Sequence, residues 1–185
     1  MYNRGMLEYF VTYLLIIANV IVFIMIRNDK LDADDLGVSY HLVFNRKEYY
    51  RIFTAAFTHV DPMHLLMNMI SLYNVGTFVE SLFGHWRMLV IYFGSLVLGK
   101  LLALAIRHNN SDDYTVSIGA SGAICGILGA SMLFILYALG MDGARYLLRP
   151  AVSLIMVSML PGVDGTSHFS CMAAGMAIAY LFILF

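Results

Sequence analysis

Long apolar runs constrain the fold of this chain more than any other feature of its sequence. No Asp, Glu, Lys or Arg occurs between residues 117 and 139, and none occurs between residues 166 and 185. A run of about 18 or more apolar residues is long enough to cross a bilayer as a helix. The whole chain is 61% hydrophobic and 12% charged, whereas soluble domains are about half apolar and about one quarter charged. The sequence therefore predicts an all-α, polytopic integral membrane protein with a single domain over residues 1–185.

Charge and cysteine content exclude several other classes of protein. The net charge of −1 argues against a nucleic-acid partner, since such proteins need a basic surface. Cys125 and Cys171 both lie in apolar runs, so no extracellular disulfide framework is expected. The residues before the first apolar run lack a basic region and a small-residue cleavage site. That run is therefore expected to remain as an anchor, not to be removed as a signal peptide.

Six membrane spans are predicted, over residues 7–26, 62–83, 88–106, 117–139, 150–160 and 166–185. Asp61 and Pro62 are expected to be the N-cap and the first residue of the second span. Residues 84–87 are expected to form a tight turn. Lys100 is expected to extend its amine toward the membrane surface. The loop at residues 31–61 contains an amphipathic part that is expected to lie in the interface.

The distribution of basic residues favours an N-terminus in the cytoplasm. In that orientation Arg4, Arg87, Arg145 and Arg149 lie in inner segments, and the outer loop after the third span holds Arg107. Cytoplasmic loops of membrane proteins carry an excess of basic residues. The first loop is an exception, because it holds five basic residues together with six acidic ones. We expect a plasma (inner) membrane location with a cytoplasmic N-terminus.

Four polar side chains are expected to share one layer inside the membrane. The second, fourth and sixth spans begin on the same side, and His64, Asn68, Ser121 and His168 lie near those beginnings. His64 and Asn68, four residues apart, share one helical face. Polar groups at this depth mark a functional site by default, and a serine, a histidine and an amide are the groups that an acyl-transfer site needs. We predict a Ser–His dyad without an obvious third group, since Asp164 is expected to point toward the loop as an N-cap.

A stripe of small residues predicts close helix packing beside this layer. Gly122, Gly126 and Ala130 recur at every fourth position of the fourth span. Small residues at this spacing let two membrane helices approach closely. Gly122 and Gly126 are expected to face Gly175 and Ala179 of the sixth span, so that Ser121 can reach His168.

Taken in order, the polar motifs resemble those of the rhomboid family of intramembrane serine proteases, and the resemblance covers most of the chain. The matching elements are Gly119-Ala120-Ser121-Gly122, His64-x-x-x-Asn68, His168 at the start of the sixth span, Tyr50-Arg51 in the first loop, and Gly76 with Glu80 in the second span. The resemblance implies Ser121 as the nucleophile and His168 as the base. It also implies an oxyanion hole formed by His64, Asn68 and the backbone at Gly119 and Ser121.

The same resemblance implies cleavage of transmembrane or membrane-anchored proteins near the outer membrane surface. It implies substrates with small or helix-weakening residues near the cut, a mobile fifth span and a loop cap before the sixth. The expected partners are transmembrane protein substrates and the lipid bilayer, and no cofactor or metal is expected.

Two positions depart from the rhomboid pattern. Cys125 stands where the family commonly has an aromatic residue, and Cys171 stands where it usually has a glycine. Each follows its catalytic neighbour by about one helical turn, so the two sulfurs are expected close together beneath the dyad. A free buried cysteine packs as a small hydrophobe and is inert, and no disulfide is expected.

Two alternatives remain open at the level of sequence. One is a catalytically impaired rhomboid-like protein that binds membrane clients, for which the two cysteines leave room. The other is a metal site formed by His64, His168, Cys125 and Cys171, which are suitable ligand types. No HExxH-like motif supports the metal site, and it would leave Ser121 without a role.

Overall fold

The computed structural model describes residues 8–159 and 162–185, and it is an all-helical bundle as predicted. Three features of the prediction lie outside the described residues: Arg4, the start of the first span at residue 7, and the end of the fifth span at residue 160. Six α-helices are present in this part of the chain: α1 (Phe10–Arg27), α2 (Arg51–Thr54), α3 (Pro62–Asn109), α4 (Ser121–Leu139), α5 (Ala144–Ser158) and α6 (Gly165–Leu184).

Helix α3 contains two of the expected spans. Its 48 residues would measure about 72 Å as one straight helix, more than twice the hydrocarbon thickness of about 30 Å. At Gly84 the backbone leaves helical geometry with φ 78° and ψ 169°, a conformation that glycine adopts without steric cost. The expected turn at residues 84–87 is therefore wrong in extent. Gly84 alone separates two helical arms, at 62–83 and 85–109.

The fifth span also differs from its prediction. Helix α5 begins at Ala144, not at residue 150, and a 3₁₀ turn at Gly140–Gly143 precedes it. Pro150 lies inside α5, although proline was expected to open the helix. The six residues before it, at 144–149, are already helical, and Leu147 among them is buried. With 15 residues, α5 measures about 22 Å.

By length and apolar composition, four of the described helices are able to cross a membrane: α1, α3, the helix beginning at Ser121, and α6. The break at Gly84 gives α3 two apolar arms. Helix α5 is shorter than a typical bilayer core. The count of six crossings therefore stays a prediction.

The core lies where α3, α4 and α6 meet. A Cβ atom at Gly175 of α6 would overlap the backbone of Gly126 in α4, and one at Gly99 of α3 would overlap the backbone of Cys171. A Cβ at Gly129 would likewise overlap the carbonyl oxygen of Met172. Backbone contact of this kind is possible only at residues without a side chain. These glycines therefore bring the three helices together directly.

Buried Glu80 attaches α1 to the first arm of α3. Its carboxylate accepts hydrogen bonds from Val11 N–H at 2.8 Å, Thr12 N–H at 2.9 Å and the Thr12 hydroxyl at 2.6 Å. The carboxylate thus lies at a helix N-terminus, where negative charge is stabilised. One turn earlier, a Cβ at Gly76 would lie 2.9 Å from the Thr12 side chain. Gly76 supplies the space for this approach.

The loop between α1 and α3 is a folded unit that reaches the start of α4. Buried Arg51 donates to the carbonyl oxygens of Asp34 at 2.8 Å and Gly37 at 2.9 Å. Val38 and Ser117 form an antiparallel bridge with N···O distances of 3.1 and 2.8 Å. The loop therefore holds the chain just before the nucleophile predicted from the sequence. The amphipathic part of the loop, around residues 49–57, has one buried face and one exposed face. Ile52 is buried, and Tyr49, Tyr50 and Phe53 are exposed.

Candidate active site

Ser121 and His168 lie in hydrogen-bond contact. Ser121 is the first residue of α4, and His168 lies in the first turn of α6. Ser121 Oγ is 2.8 Å from His168 Nε2, and the imidazole is 3% exposed. A serine hydroxyl at this distance from an imidazole nitrogen has the geometry of an activated nucleophile and its base.

Gly119 contributes space to this site. Its φ of 105° lies in the left-handed region, and a Cβ there would lie 2.7 Å from His64 Cε1. The Gly119 N–H donates to Ala55 O at 2.8 Å. That donor is committed to the loop, so the structure does not present the Gly119 N–H to a substrate. The next N–H groups, at the start of α4, have no acceptor within their own helix.

His64 and Asn68 lie on the first arm of α3 and face the same cavity as the dyad. The cavity measures about 880 Å³ and is lined by His64, Asn68, Ser121 and His168, with Pro150 and Ser153 of α5 on its wall. Asp61 caps the helix as predicted, because its carboxylate accepts from His64 N–H at 2.8 Å. Asn68 Nδ2 donates to His64 O at 2.9 Å. An amide has two N–H donors, so this bond commits one of them.

A third polar group contacts the imidazole, at a residue that no sequence motif indicated. Ser158 Oγ, at the end of α5, is 2.9 Å from His168 Nδ1. A Cβ at Gly165 would lie 2.7 Å from Ser158 O, so glycine at the start of α6 lets the end of α5 approach. Serines are frequent in this chain, and no local pattern distinguishes Ser158. The sequence indicated no obvious third group, and the structure shows Ser158 at the nitrogen of His168 that faces away from Ser121.

Lys100 does not extend to the membrane surface, and the expectation that it would is wrong. It is 6% exposed, and its Nζ donates to Ser117 Oγ at 3.0 Å, Ser167 Oγ at 2.7 Å and Asp164 Oδ2 at 3.3 Å. We call these four residues the Lys100 cluster. The second arm of α3 packs against α4 and α6, so the Lys100 amine meets these oxygens inside the bundle and does not need to reach the surface for hydrogen-bond partners.

Asp164 is an N-cap, as predicted, but its carboxylate points inward, toward Lys100, and not toward the loop. Its Oδ1 accepts from Ser167 N–H at 3.0 Å and pairs with Arg107 Nη2 at 2.8 Å. Burial opposes ionisation of this carboxyl, but attraction from Lys100 and hydrogen bonds from Ser117 and Ser167 outweigh it. The pKa of Asp164 is thereby held below its ordinary value, so the group is a carboxylate near neutral pH.

His59, in the loop before α3, is buried beside His64, with ring centroids 5.0 Å apart. Burial, reinforced by His64, lowers the pKa of His59 to about 4, so its imidazole is neutral near pH 7. Its Nε2 accepts from Ala120 N–H at 3.4 Å. His59 therefore supports the turn that leads into Ser121.

The two cysteines are buried free thiols beneath the dyad. A Cβ at Gly122 would lie 3.3 Å from Cys171 Sγ and near no atom of the glycines or alanines of α6, so the expectation that Gly122 faces Gly175 or Ala179 is wrong. Gly126 does face Gly175, as predicted, and it also faces Ser95. Within the part of the chain that the structure describes, no group of three or more His, Cys, Asp or Glu side chains is arranged to hold a metal ion.

Comparison with known proteins identifies the family. A family model described as the Rhomboid domain matches residues 46–185. The chain belongs to the rhomboid family. Together with its apolar helices, this membership makes the protein an integral, multi-pass membrane protein.

Several curated rhomboids are similar to this chain. RHOMBOID-like protein 1 of Arabidopsis thaliana is 29% identical over 84% of this chain and 39% of its own length. Rhomboid protease GluP of Bacillus subtilis (strain 168) is 26% identical over 89% of this chain and 33% of its own length. Inactive RHOMBOID-like protein 8 of Arabidopsis thaliana is 34% identical over 52% of this chain and 26% of its own length. This rhomboid thus spans well under half the length of these relatives, and the family includes both proteases and an inactive member.

Proposed function

We propose that this rhomboid is an intramembrane serine endopeptidase. It cleaves transmembrane or membrane-anchored protein substrates near the outer membrane surface, with Ser121 as the nucleophile and His168 as the base. The observation that carries the proposal is the 2.8 Å contact between Ser121 Oγ and His168 Nε2 in a cavity large enough to admit a peptide segment. Membership of a family with named proteases supports the same reaction class.

In the first step, Ser121 Oγ attacks the scissile carbonyl carbon and transfers its proton to His168 Nε2. The resulting tetrahedral intermediate carries a negative oxygen. The Asn68 amide, the His64 imidazole and the Ser121 N–H are the donors near that position, and donors held in place for such an oxygen lower the barrier. His168 then protonates the leaving amine, which departs and leaves an acyl group on Ser121. Water attacks this ester with His168 as the base and releases the second product.

Ser158 keeps the imidazole in the required tautomer. When Nδ1–H donates to Ser158 Oγ across 2.9 Å, Nε2 has a free lone pair that accepts the proton of Ser121. In soluble serine proteases a carboxylate performs this orienting role. A neutral hydroxyl orients the ring but gives less stabilisation to the imidazolium.

The proposed topology follows from the predicted spans. Six crossings in one domain over residues 1–185, with a cytoplasmic N-terminus in a plasma (inner) membrane, place the dyad on the outer side. Water reaches Ser121 through the cavity between the first arm of α3 and α5. The partners are transmembrane substrates and the bilayer, and the proposed chemistry needs neither a cofactor nor a metal.

A client-binding protein without catalysis is the second candidate. The similarity to a relative named inactive over 52% of this chain favours it. It differs from the first candidate in one measurable property, namely whether Ser121 is a reactive nucleophile.

Purified protein incubated with a fluorophosphonate probe and with a model transmembrane substrate distinguishes the two candidates. We expect covalent labelling and cleavage by the unaltered protein, and neither by Ser121→Ala or His168→Ala, because a nucleophile and its base act as a unit. Ser81→Ala is the matched control, since the Ser81 hydroxyl donates to Phe78 O within its own helix. Cleavage by Ser121→Ala at the unaltered rate would overturn the protease proposal. Client binding without labelling would favour the second candidate.

A further inference from the structure

The Lys100 amine makes all of its hydrogen bonds within the Lys100 cluster. An ammonium group has three N–H donors and no acceptor, and Lys100 Nζ has three oxygen partners, on Ser117, Ser167 and Asp164. The two hydroxyls in turn donate to Asp164 Oδ2, from Ser117 at 2.7 Å and from Ser167. Every donor of the ammonium is therefore used.

The partners of Lys100 come from the two segments that carry the proposed dyad. Ser117 precedes Ser121 by four residues, and Asp164 and Ser167 precede His168 by four residues and by one. Lys100 itself lies on α3, which carries neither member of the dyad. One amine thus connects the approach to the nucleophile with the first turn of the helix that carries the base.

Global stability does not explain a buried lysine at this position. Removing a charge from water costs several kcal/mol, and apolar residues of similar volume often stabilise a core equally well. The helices are already in backbone contact at Gly126 and Gly175. Those contacts lie about 7 Å beyond Ser121 and about 10 Å beyond His168 along their helices, on the side away from the loops. Nearer the loops, the two helix ends are joined by side-chain hydrogen bonds, and Lys100 makes three of them.

We propose that Lys100 is a positioning residue for the reaction, because its buried amine fastens the segment leading into Ser121 to the first turn of the helix that carries His168. This proposal rests on the proposed function. The Ser121–His168 contact is set by two helix ends, and a displacement of about 1 Å between reacting groups lowers a rate by about 100-fold. Methionine has nearly the volume of lysine but no donor. Lys100→Met therefore removes the three hydrogen bonds of the amine and keeps the packing, and only the direct bond from Ser117 to Asp164 Oδ2 at 2.7 Å still joins the two segments within the cluster.

The test compares three variants in proteoliposomes. Lys100→Met should lower kcat and the rate of fluorophosphonate labelling by about 10- to 100-fold, with little change in KM, since Lys100 does not contact the substrate. Arg87→Met is the matched control, because Arg87 is a cation at the other end of the same helical arm and stacks on Phe182. It should cleave and label like the unaltered protein.

A double variant separates positioning from stability. Lys100→Met leaves the Asp164 carboxylate without one cation, which by itself lowers the unfolding temperature. In Lys100→Met with Asp164→Asn that charge is also absent. Arg107 then loses one carboxylate partner but keeps Asp112 at 3.9 Å, so the unfolding temperature should recover in part while labelling stays slow. If labelling recovers together with the unfolding temperature, Lys100 acts on stability alone and the positioning proposal is wrong.

Hydrogen exchange supplies a measurement that does not depend on catalysis. Lys100→Met should accelerate amide exchange in residues 115–121 and 164–168, and Arg87→Met should not. If the unaltered protein neither labels nor cleaves, the proposed function fails, and faster exchange confined to these two segments still supports the connection. Unchanged exchange there, or unchanged labelling where the unaltered protein is active, overturns it.

Discussion

The contact between α4 and α6 differs sharply from the contacts of α5. Along α4 and α6, backbone meets backbone, since a Cβ at Gly175 would overlap Gly126 and one at Gly129 would overlap Met172. Much of α5 is exposed, with Tyr146 at 56% and Leu148 and Met156 each at 66%. The helices that carry the dyad are therefore held rigidly, whereas α5 touches them at few points.

This difference separates two requirements of the proposed site. The distance between Ser121 and His168 depends on α4 and α6, which cannot move apart without loss of backbone packing. The orientation of the imidazole depends on Ser158, which belongs to α5. A movement of α5 would enlarge the cavity at Pro150 and Ser153 and would release His168 Nδ1 without displacing Ser121.

The largest effect is expected from a methyl group added where the backbones of α4 and α6 touch. Gly175→Ala should destabilise the protein by about 3 kcal/mol or more and abolish cleavage, because the new Cβ would meet the Gly126 backbone, which cannot rotate away. Gly94→Ala is the matched control, since its Cβ would lie 2.8 Å from the flexible end of Ile178 and that side chain can shift. Thermal unfolding and substrate cleavage measure both effects. Equal stability of the two variants would contradict the assignment of α4 and α6 as the rigid pair.

A smaller effect is expected from the α5 side. Ser158→Ala removes one hydrogen bond to the imidazole, worth about 0.5–1.5 kcal/mol, and should lower kcat by about 2- to 10-fold. Ser158→Thr, which keeps the hydroxyl, should retain most of the rate. The unfolding temperature of both variants should stay near that of the unaltered protein. An alanine variant as fast as the unaltered protein would remove Ser158 from the mechanism.

The smallest effect on cleavage is expected from the two cysteines. Combining Cys125→Ala with Cys171→Ala should leave the cleavage rate within about threefold of the unaltered protein and lower stability by about 1–2 kcal/mol, because each change leaves a small cavity. Kinetics with a model substrate and thermal unfolding measure the two quantities. A double variant that is folded but inactive would contradict a packing role and would reopen a redox or metal role.

Much of the helical arrangement was predictable, and the physical reason is local. Apolar runs of membrane length identify helices by themselves, because a backbone in lipid must satisfy its own hydrogen bonds. Asp61 and Asp164 were predictable as N-caps because capping is also local in sequence: the side chain accepts from an N–H three residues further on. The boundaries of α5 were not predictable from Pro150, because the helix begins six residues before the proline and continues through it.

From the sequence alone, Ser121, His168, His64 and Asn68 are predicted to share one layer, because alternate predicted spans begin on the same side, and in the structure the four residues line one cavity. The tertiary structure sets which side chains in and around that layer contact one another. It joined Lys100 to Asp164, joined Ser158 to His168 Nδ1 and committed the Gly119 N–H to Ala55. These contacts link residues from 10 to 64 positions apart. A hydrogen bond over such a separation depends on how whole helices pack, and no local pattern of residues encodes it.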